Sequence, residues 1–291
     1  MSRGSRDDDR LDQVDRAPDR KPDTRARTQP SPEEVAARWL SLPRGEDRER
    51  VDFRDREYSL NGSETRALAT VGAFRVVSPD DVGEERHGKD AWHGDWRRLA
   101  EQGLITRESI TDRDGVHHVV ALTKEGKSLL DAHTRPRPEG RQQEYYAGVV
   151  KPRELRHDAQ LYRVFKEEAA RIERDGGRVT RVLLDYELKR DYQRFLNRED
   201  RDGDADRAAD RRAFAAANDL HIIGGHLELP DLRIEYQTDD GRLEHRDVEL
   251  VTEHYSRGQL AGKARAGFTR YRGGGSGRGG TPFDPRHLER L

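Results

Sequence analysis

The chain has 291 residues, of which 38% are charged and 32% are hydrophobic, so any packed core is small for the length. The formal net charge of -2 gives no overall support for nucleic-acid binding, and the absence of cysteine excludes disulfides, thiolate zinc sites and cysteine nucleophiles. No stretch approaches the roughly 20 apolar residues that span a bilayer, and the first residues lack the apolar segment of a secretory signal. We therefore expect a cytoplasmic protein with no membrane partner.

Residues 1–56 are rich in arginine, aspartate, proline and glutamate, with both signs of charge closely mixed. Such a segment buries too little apolar surface to offset the entropy that it loses on ordering. The pattern predicts a disordered charged tail, interrupted by a short helix over residues 32–40 that Ser31 caps and Pro32 begins.

Residues 57–134 alternate helical and strand patterns at short spacing. Ser63 and Ser78 are placed to cap two helices, and a third helix ends at Gly103. The turn sequence Asp112-Arg-Asp-Gly115 separates two alternating segments, which is typical of paired strands. The predicted order is a helix over 64–74, a short helix from 78, a helix over 89–102, strands over 104–110 and 116–122, and a helix over 124–133. This order predicts a winged helix-turn-helix domain.

The third predicted helix would be the recognition helix, which enters the major groove of double-stranded DNA. The segment Trp96-Arg-Arg-Leu-Ala-Glu-Gln-Gly-Leu-Ile-Thr-Arg resembles the junction between that helix and the first wing strand in MarR-like proteins. Phosphate contacts from basic side chains would give an affinity that falls with salt. Acidic residues at 84, 85, 90 and 95 dilute the basic face, so a protein-docking or structural module is the alternative. The candidate DNA-binding residues are His87, Lys89, His93, Arg97, Arg98, Arg107 and Arg113.

Residues 135–151 hold prolines, glycines and many charges, which predicts a linker. Residues 152–272 predict a second domain, which gives the chain an α+β fold class. The glycine-rich residues 273–280 begin a tail that reaches residue 291, and the sheet of the second domain is expected to lack a final apolar strand. The predicted elements of this domain are an amphipathic helix from Leu155, a strand over 179–184, helices over 190–220, strands over 221–228, 231–237 and 246–252, and a helix from Ser256 to Tyr271.

Two carboxylates and a lysine carry the sharpest chemical signal of the second domain. Asp231 follows Pro230 at the start of one predicted strand, Glu249 lies on a later strand, and Lys263 lies on the following helix. This arrangement resembles the PD-(D/E)XK restriction-endonuclease-like superfamily, in which carboxylates on two adjacent strands bind Mg²⁺ and a nearby lysine orients the water or stabilises the phosphorane. The resemblance implies Asp231 and Glu249 as metal ligands, and both of them with Lys263 as catalytic residues. Val251 stands where the motif has lysine, so Lys263 would supply that charge from another backbone position.

The succession of the two domains is similar to the replication-relaxation family of bacterial plasmids and integrative elements, over about residues 60–271. The residues that carry this likeness are Leu155-Arg-His-Asp-Ala-Gln-Leu-Tyr162, Pro230-Asp231, Val248-Glu249 and the helix that begins near Lys263. The family implies a DNA-binding protein involved in plasmid replication or mobilisation. The departure at Val251 leaves open whether its nuclease-like domain is active, and only an active one would need Mg²⁺.

Two other functions stay open at this point: a Mg²⁺-dependent DNA endonuclease, and a non-enzymatic MarR-like winged-helix transcriptional regulator or scaffold. Further expected partners are a second copy of the chain, as a homodimer, or replication and transfer proteins of the mobile element. The residues singled out also have structural interpretations. His157 and Asp158 could form a helix cap and a surface pair, Asp231 could shape the strand entry, and Glu249 could face outward from an alternating strand.

Overall fold

A computed structural model describes residues 32–82, 94–112, 115–138, 140–149, 155–199, 206–251, 255–272 and 289–290. These residues form a mixed α+β fold, as the sequence predicts. None of the helices in these ranges combines the length and the apolar character needed to cross a bilayer. Four of the predicted DNA-binding residues lie outside the described residues: His87, Lys89, His93 and Arg113.

The first described elements lie where the sequence predicts a tail. Helix α1 (Pro32–Ala37), which agrees with the predicted short helix, is followed by strands β1 (Glu49–Phe53) and β2 (Arg56–Leu60), which pair as an antiparallel hairpin. Val51 and Tyr58 face each other and are buried, whereas their charged neighbours along the strands are exposed. The prediction of a disordered tail is therefore wrong for residues 41–56, because alternate residues of a charge-rich strand can still bury one face.

Helices and a second hairpin follow in the predicted order. Helix α2 is capped by Asn61 instead of the predicted Ser63: the Asn61 side chain accepts a hydrogen bond from the Glu64 N–H, and the Glu64 side chain accepts one from the Asn61 N–H. The predicted second helix is a single 3₁₀ turn. The elements are α2 (Gly62–Phe74), the 3₁₀ turn (Pro79–Asp81), α3 (Asp95–Glu101), β3 (Ile105–Asp112), β4 (Gly115–Leu122) and α4 (Lys124–Ala132).

The connection that follows α4 is packed into the core. Tyr145 and Tyr146 are buried; the Tyr145 hydroxyl donates to the Ala36 carbonyl at 2.7 Å, and the Tyr146 N–H donates to the Gly72 carbonyl at 2.8 Å. A Cβ atom on Gly72 would lie 2.8 Å from Tyr145 Cδ1, so this close approach requires glycine. The linker prediction for residues 135–151 is wrong in this respect, because composition does not reveal that the tyrosines have partners on α1 and α2.

The remaining elements surround a mixed five-stranded sheet. They are α5 (Leu155–Arg174), β5 (Arg178–Leu184), α6 (Asp185–Glu199), α7 (Arg207–Ala217), β6 (His221–Ile223), β7 (His226–Glu228), β8 (Leu232–Gln237), β9 (Leu243–Val251), α8 (Arg257–Arg265), β10 (Thr269–Arg272) and β11 (Glu289–Arg290). The strand order is β5-β8-β9-β10-β11. Strand β8 is antiparallel to β5 and β9, β10 is parallel to β9, and β11 is antiparallel to β10. Strands β6 and β7 form a separate hairpin.

The far edge of this sheet differs from the sequence prediction. Helix α8 stops at Arg265, and Gly267 takes a left-handed conformation with φ of 77°. Strand β10 then pairs with β9, and Tyr271 on it is fully buried. The predicted helix as far as Tyr271 and the expected lack of a final strand are both wrong. A strand of four residues with one buried side chain is too short for its periodicity to be recognised.

One cluster of buried apolar side chains includes residues that precede and residues that follow the connection between α4 and α5. Phe74 of α2 packs against Tyr162 and Phe165 of α5, with ring centroids 5.0 Å apart in both pairs. Arg163 Nε, also on α5, donates to Asp81 Oδ2 at 2.6 Å. Helix α5 is thus held by contacts with the N-terminal elements as well as by the sheet.

Candidate active site

The residues predicted for catalysis meet at one end of the sheet. Asp231 immediately precedes β8 and Glu249 lies near the end of β9, and the pairing of Leu232 with Val248 brings the two carboxylates to neighbouring positions. The Asp231 side chain reaches across to β9, where its Oδ2 accepts a hydrogen bond from the Leu250 N–H at 2.9 Å. The antiparallel register of two strands therefore sets the distance between these acids.

Lys263 reaches the carboxylates from α8. Its Nζ lies 3.1 Å from Glu249 Oε1 and donates to the Leu229 carbonyl at 2.7 Å, while Glu228 Oε2 lies 3.5 Å away. The side chain of Lys263 is largely buried by these contacts. A helix thus places a cation beside the two carboxylates, although the usual motif position on the strand holds Val251.

The buried position of Glu249 changes its acidity. Burial and the negative charge of Asp231 raise the pKa of Glu249 to about 7, although Lys263 and a hydrogen bond from the Tyr255 hydroxyl act in the opposite direction. That hydroxyl donates to Glu249 Oε1 at 2.6 Å. The other oxygen, Oε2, is buried and has no hydrogen-bond partner among the described residues. A buried oxygen without a partner is unfavourable, so this atom is well placed to accept a ligand.

His157, at the start of α5, also belongs to the site. Its Nε2 lies 3.3 Å from Asp231 Oδ2 and its Nδ1 lies 3.5 Å from Asp158 Oδ1. Burial lowers the pKa of His157, but hydrogen bonds and charge interactions with these two carboxylates together outweigh burial and raise the pKa to about 10. The imidazole is therefore a cation near neutral pH. The interpretation of His157 and Asp158 as a cap and a surface pair is wrong, because Asp158 is buried and lies 3.6 Å from Arg75.

The donor set is compatible with Mg²⁺. Carboxylate oxygens are the ligands that this ion prefers, and Asp231 and Glu249 would supply them. In the parts of the chain with described positions, no group of three or more His, Cys, Asp or Glu is arranged to hold a metal ion. Mg²⁺ commonly binds through one or two carboxylates and keeps several waters, so two carboxylates that include the unpartnered Glu249 Oε2 are sufficient for it.

Three of the predicted DNA-binding residues are described, and they differ in their surroundings. Arg98 Nε lies 3.0 Å from Glu64 Oε1 and its Nη2 lies 2.6 Å from Asp95 Oδ1, and hydrogen bonds to these carboxylates raise the pKa of Arg98. Arg97 is exposed and pairs with Glu101 one turn later on α3 at 2.8 Å. Arg107 is exposed on β3. All three side chains are exposed, but Arg98 is held by two carboxylates and Arg97 by one.

Two members of the site escape sequence reasoning. The contact between His157 and Asp231 joins a helix start to a strand start 74 residues later, and no spacing rule links such positions. Tyr255 lies next to Ser256, whose side chain caps α8, and only the position of that helix against the sheet brings its hydroxyl to Glu249. A polar residue between the second carboxylate strand and the helix that carries the lysine is the signal that could have indicated Tyr255.

Comparisons of the chain with protein-family models, with curated proteins and with solved structures find no match. The functional conclusion therefore rests on the residues and their geometry.

Proposed function

We propose that the protein is a Mg²⁺-dependent nuclease that cleaves phosphodiester bonds in DNA. The observation that carries this proposal is the meeting of Asp231, Glu249 and Lys263 at one end of the sheet. Two carboxylates on adjacent strands and a lysine on the next helix are the features on which the resemblance to PD-(D/E)XK nucleases rests. Strand β10, which extends the sheet beyond β9, adds support for that resemblance.

The site contains the groups that phosphodiester hydrolysis needs. Mg²⁺ held by Asp231 and Glu249 would supply Lewis-acid stabilisation of the phosphoryl oxygens. Lys263 carries its positive charge beside the carboxylates, where it stabilises the negative charge that develops on phosphate in the transition state. The Leu250 N–H and the Tyr255 hydroxyl orient the two carboxylates through hydrogen bonds.

The biological role that we propose for this activity is the replication or mobilisation of a bacterial mobile element, with double-stranded DNA as the partner. The likeness of the sequence motifs to the replication-relaxation family supports this role. Helix α3 and the β3–β4 hairpin follow one another in the order expected of a winged helix, and Arg97 and Arg107 are exposed on them. In this proposal the helices and hairpin position the duplex, and the end of the sheet cleaves it.

Plasmid cleavage tests the proposal. The full-length chain is incubated with supercoiled plasmid and either Mg²⁺ or Mn²⁺, with EDTA as the blank. We expect metal-dependent nicking, which Asp231→Asn reduces by on the order of 100-fold or more because a metal ligand is lost. The matched control is Glu244→Gln, an exposed carboxylate on the neighbouring strand β9, which should leave the rate unchanged. Absence of cleavage with both metals, or equal cleavage by Asp231→Asn, contradicts the proposal.

A second candidate function is DNA binding without cleavage, as a transcriptional regulator or scaffold. The observation that favours it is the pairing of both carboxylates within the chain, since His157 contacts Asp231 and Lys263 contacts Glu249. Calorimetric titration with Mn²⁺ separates the two functions. The nuclease requires metal binding that Glu249→Gln weakens, whereas the regulator requires a duplex gel shift without metal binding. Light scattering of the full chain then shows whether a homodimer forms.

A further inference from the structure

A positively charged cleft of about 950 Å³ is lined by residues of α4, the 141–147 connection, α6 and α7. Its lining includes seven Lys or Arg and three Asp or Glu residues. Two of these cations are neutralised by carboxylates: Arg181 is buried and paired with Glu187, and Arg75 is paired with Asp158. The other five cations of the lining still outnumber its three acids. The cleft therefore has a positive charge that the cleavage site does not use.

Helix α6 contributes arginines from a single face to this cleft. Arg190, Arg194 and Arg198 follow one another at four-residue intervals, which places successive side chains about 6 Å apart along the helix axis. Arg194 and Arg198 are exposed. Regularly spaced guanidinium groups along one wall are suited to a ligand with regularly spaced phosphates.

The acids of the cleft neutralise only part of the positive charge on this face of α6. Glu144 forms a two-point hydrogen bond with Arg190, at 2.5 and 2.6 Å, and so compensates that residue. Asp191 is then the carboxylate shared by Arg141 and Arg194, and it lies 3.8 Å from Arg194. One carboxylate between two guanidinium groups leaves an excess positive charge at the surface, where an anion can bind.

An exposed aromatic ring lies beside the arginines. Tyr186, in the first turn of α6, is 46% exposed, which is high for a large apolar ring. The guanidinium carbon of Arg75 lies 5.7 Å from the centre of this ring, and the Tyr146 ring meets it edge-on at 5.7 Å. Arg75 itself has a φ of 64°, a left-handed conformation that non-glycine residues rarely adopt. The tyrosine is thus held in place while part of its surface stays open.

The cleft is connected to the candidate active site. The N–H of Asp185, the residue before Tyr186, donates to the Asp231 carbonyl at 3.1 Å. Arg75, which covers the Tyr186 ring, pairs with Asp158, whose neighbour in the chain contacts the Asp231 carboxylate. Helix α6 therefore begins at the end of the sheet where the carboxylates meet, and its arginines lead away from that point.

We propose that this cleft binds an unpaired segment of nucleic acid, with its phosphates on the exposed arginines of α6 and a base stacked on Tyr186. A positive groove combined with aromatic stacking surfaces is the physical pattern of single-strand binding. A volume near 950 Å³ holds a few nucleotides and is too small for a double helix. Delivery of this strand to the carboxylates rests on the proposed nuclease function, whereas the binding does not.

Fluorescence anisotropy in EDTA tests the binding, with a short labelled single strand, the matching duplex and a competing mononucleotide. For Arg194→Ala with Arg198→Ala we expect about 10-fold weaker single-strand binding, and a salt dependence reduced by about 1.4 in the log–log slope because two phosphate contacts are lost. Tyr186→Ala should weaken binding by about 10-fold and Tyr186→Phe should not, because stacking needs only the ring. The matched control for Arg194→Ala is Arg242→Ala, since Arg242 is another exposed arginine with a nearby aspartate partner.

The outcomes separate the cleft from the nuclease. If the cleft variants lose affinity for the single strand but not for the duplex, the proposed role of the cleft is supported. Three outcomes overturn this proposal. They are equal losses of affinity for the single strand and the duplex, an equal loss of affinity in Arg242→Ala, and tighter binding of the mononucleotide than of the single strand. EDTA prevents metal-dependent cleavage, so binding is measured independently of nuclease activity. A chain that binds single strands but never nicks plasmid supports the proposed single-strand binding and contradicts the proposed nuclease function. A chain that nicks plasmid while its cleft variants bind the single strand normally contradicts only the proposed role of the cleft.

Discussion

The exposed face of α3 and the end of the sheet at Asp231 are both rich in charge, but the two regions use their charges differently. On α3, Arg98 is bound by Glu64 and Asp95. At the sheet, Asp231 and Glu249 are held close enough for the charge of one to raise the pKa of the other. Charges on a helix surface are bound by whichever partners the fold supplies, whereas like charges buried side by side indicate a functional site.

The largest difference between the regions should appear in activity. We expect Glu249→Gln to reduce plasmid cleavage by on the order of 1,000-fold or more, because the substitution removes a charged metal ligand. The free energy of unfolding in EDTA should not fall, since burial and Asp231 already disfavour the ionised form of Glu249. Cleavage assays and urea unfolding of the same preparation check both parts. Lower stability with unchanged cleavage would make Glu249 a structural residue.

A second carboxylate on the same strand should behave in the opposite way. Asp247 Oδ1 and Oδ2 accept hydrogen bonds from Arg233 at 2.7 and 2.8 Å, and both side chains are nearly buried. Asp247→Ala leaves that guanidinium without its carboxylate, so we expect a loss of about 3 kcal/mol in the free energy of unfolding. Cleavage per folded molecule should be unchanged. Urea unfolding measures the first quantity, and a selective loss of cleavage would place Asp247 in the active site.

On α3, Arg98→Ala should have a smaller, structural effect. Glu64 is fully buried and would keep Arg48 and the Asn61 N–H as partners, so we expect a loss of about 1 kcal/mol in the free energy of unfolding. Duplex affinity should fall no more than it does for Arg97→Ala. A gel shift beside an unfolding curve gives both values. Unchanged stability with abolished DNA binding would show that Arg98 contacts DNA.

Arg97→Ala should give the smallest change in stability. Arg97 and Glu101 form an exposed ion pair, which contributes less than about 0.5 kcal/mol. If α3 contacts phosphate, duplex affinity falls modestly and the log–log salt slope decreases by about 1. Anisotropy over a range of salt concentrations measures that slope. An unchanged slope would remove Arg97 from the DNA-binding surface and weaken the proposed role of α3.

The sequence predicts well wherever a short-range rule applies. The β3–β4 hairpin follows from alternation around a turn, and Asp231, Glu249 and Lys263 meet because paired strands and the next helix leave few arrangements. The sequence fails where a charged composition hides alternation, as in β1 and β2, or where a strand is very short, as in β10.

Long-range partners are the other part that sequence reasoning misses. His157 meets Asp231 only because α5 packs across the sheet, and Arg98 meets Glu64 only because α3 packs on α2. The cleft along α6 could have been suspected from arginines at four-residue intervals. However, the neighbouring acids at 144 and 191 obscure its charge until their actual partners are known.

The packing of Phe74 against Tyr162 and Phe165 has a consequence for how this molecule can evolve and be dissected. Because the helices before the connection and the helix that carries His157 share these rings, neither half retains a complete interior when it is separated from the other. The two halves should therefore melt as one cooperative unit, and neither should be transferable to another protein as an independent module. A change in side-chain volume on α2 must be matched on α5, which makes the geometry at Asp231 sensitive to substitutions far from it in the chain.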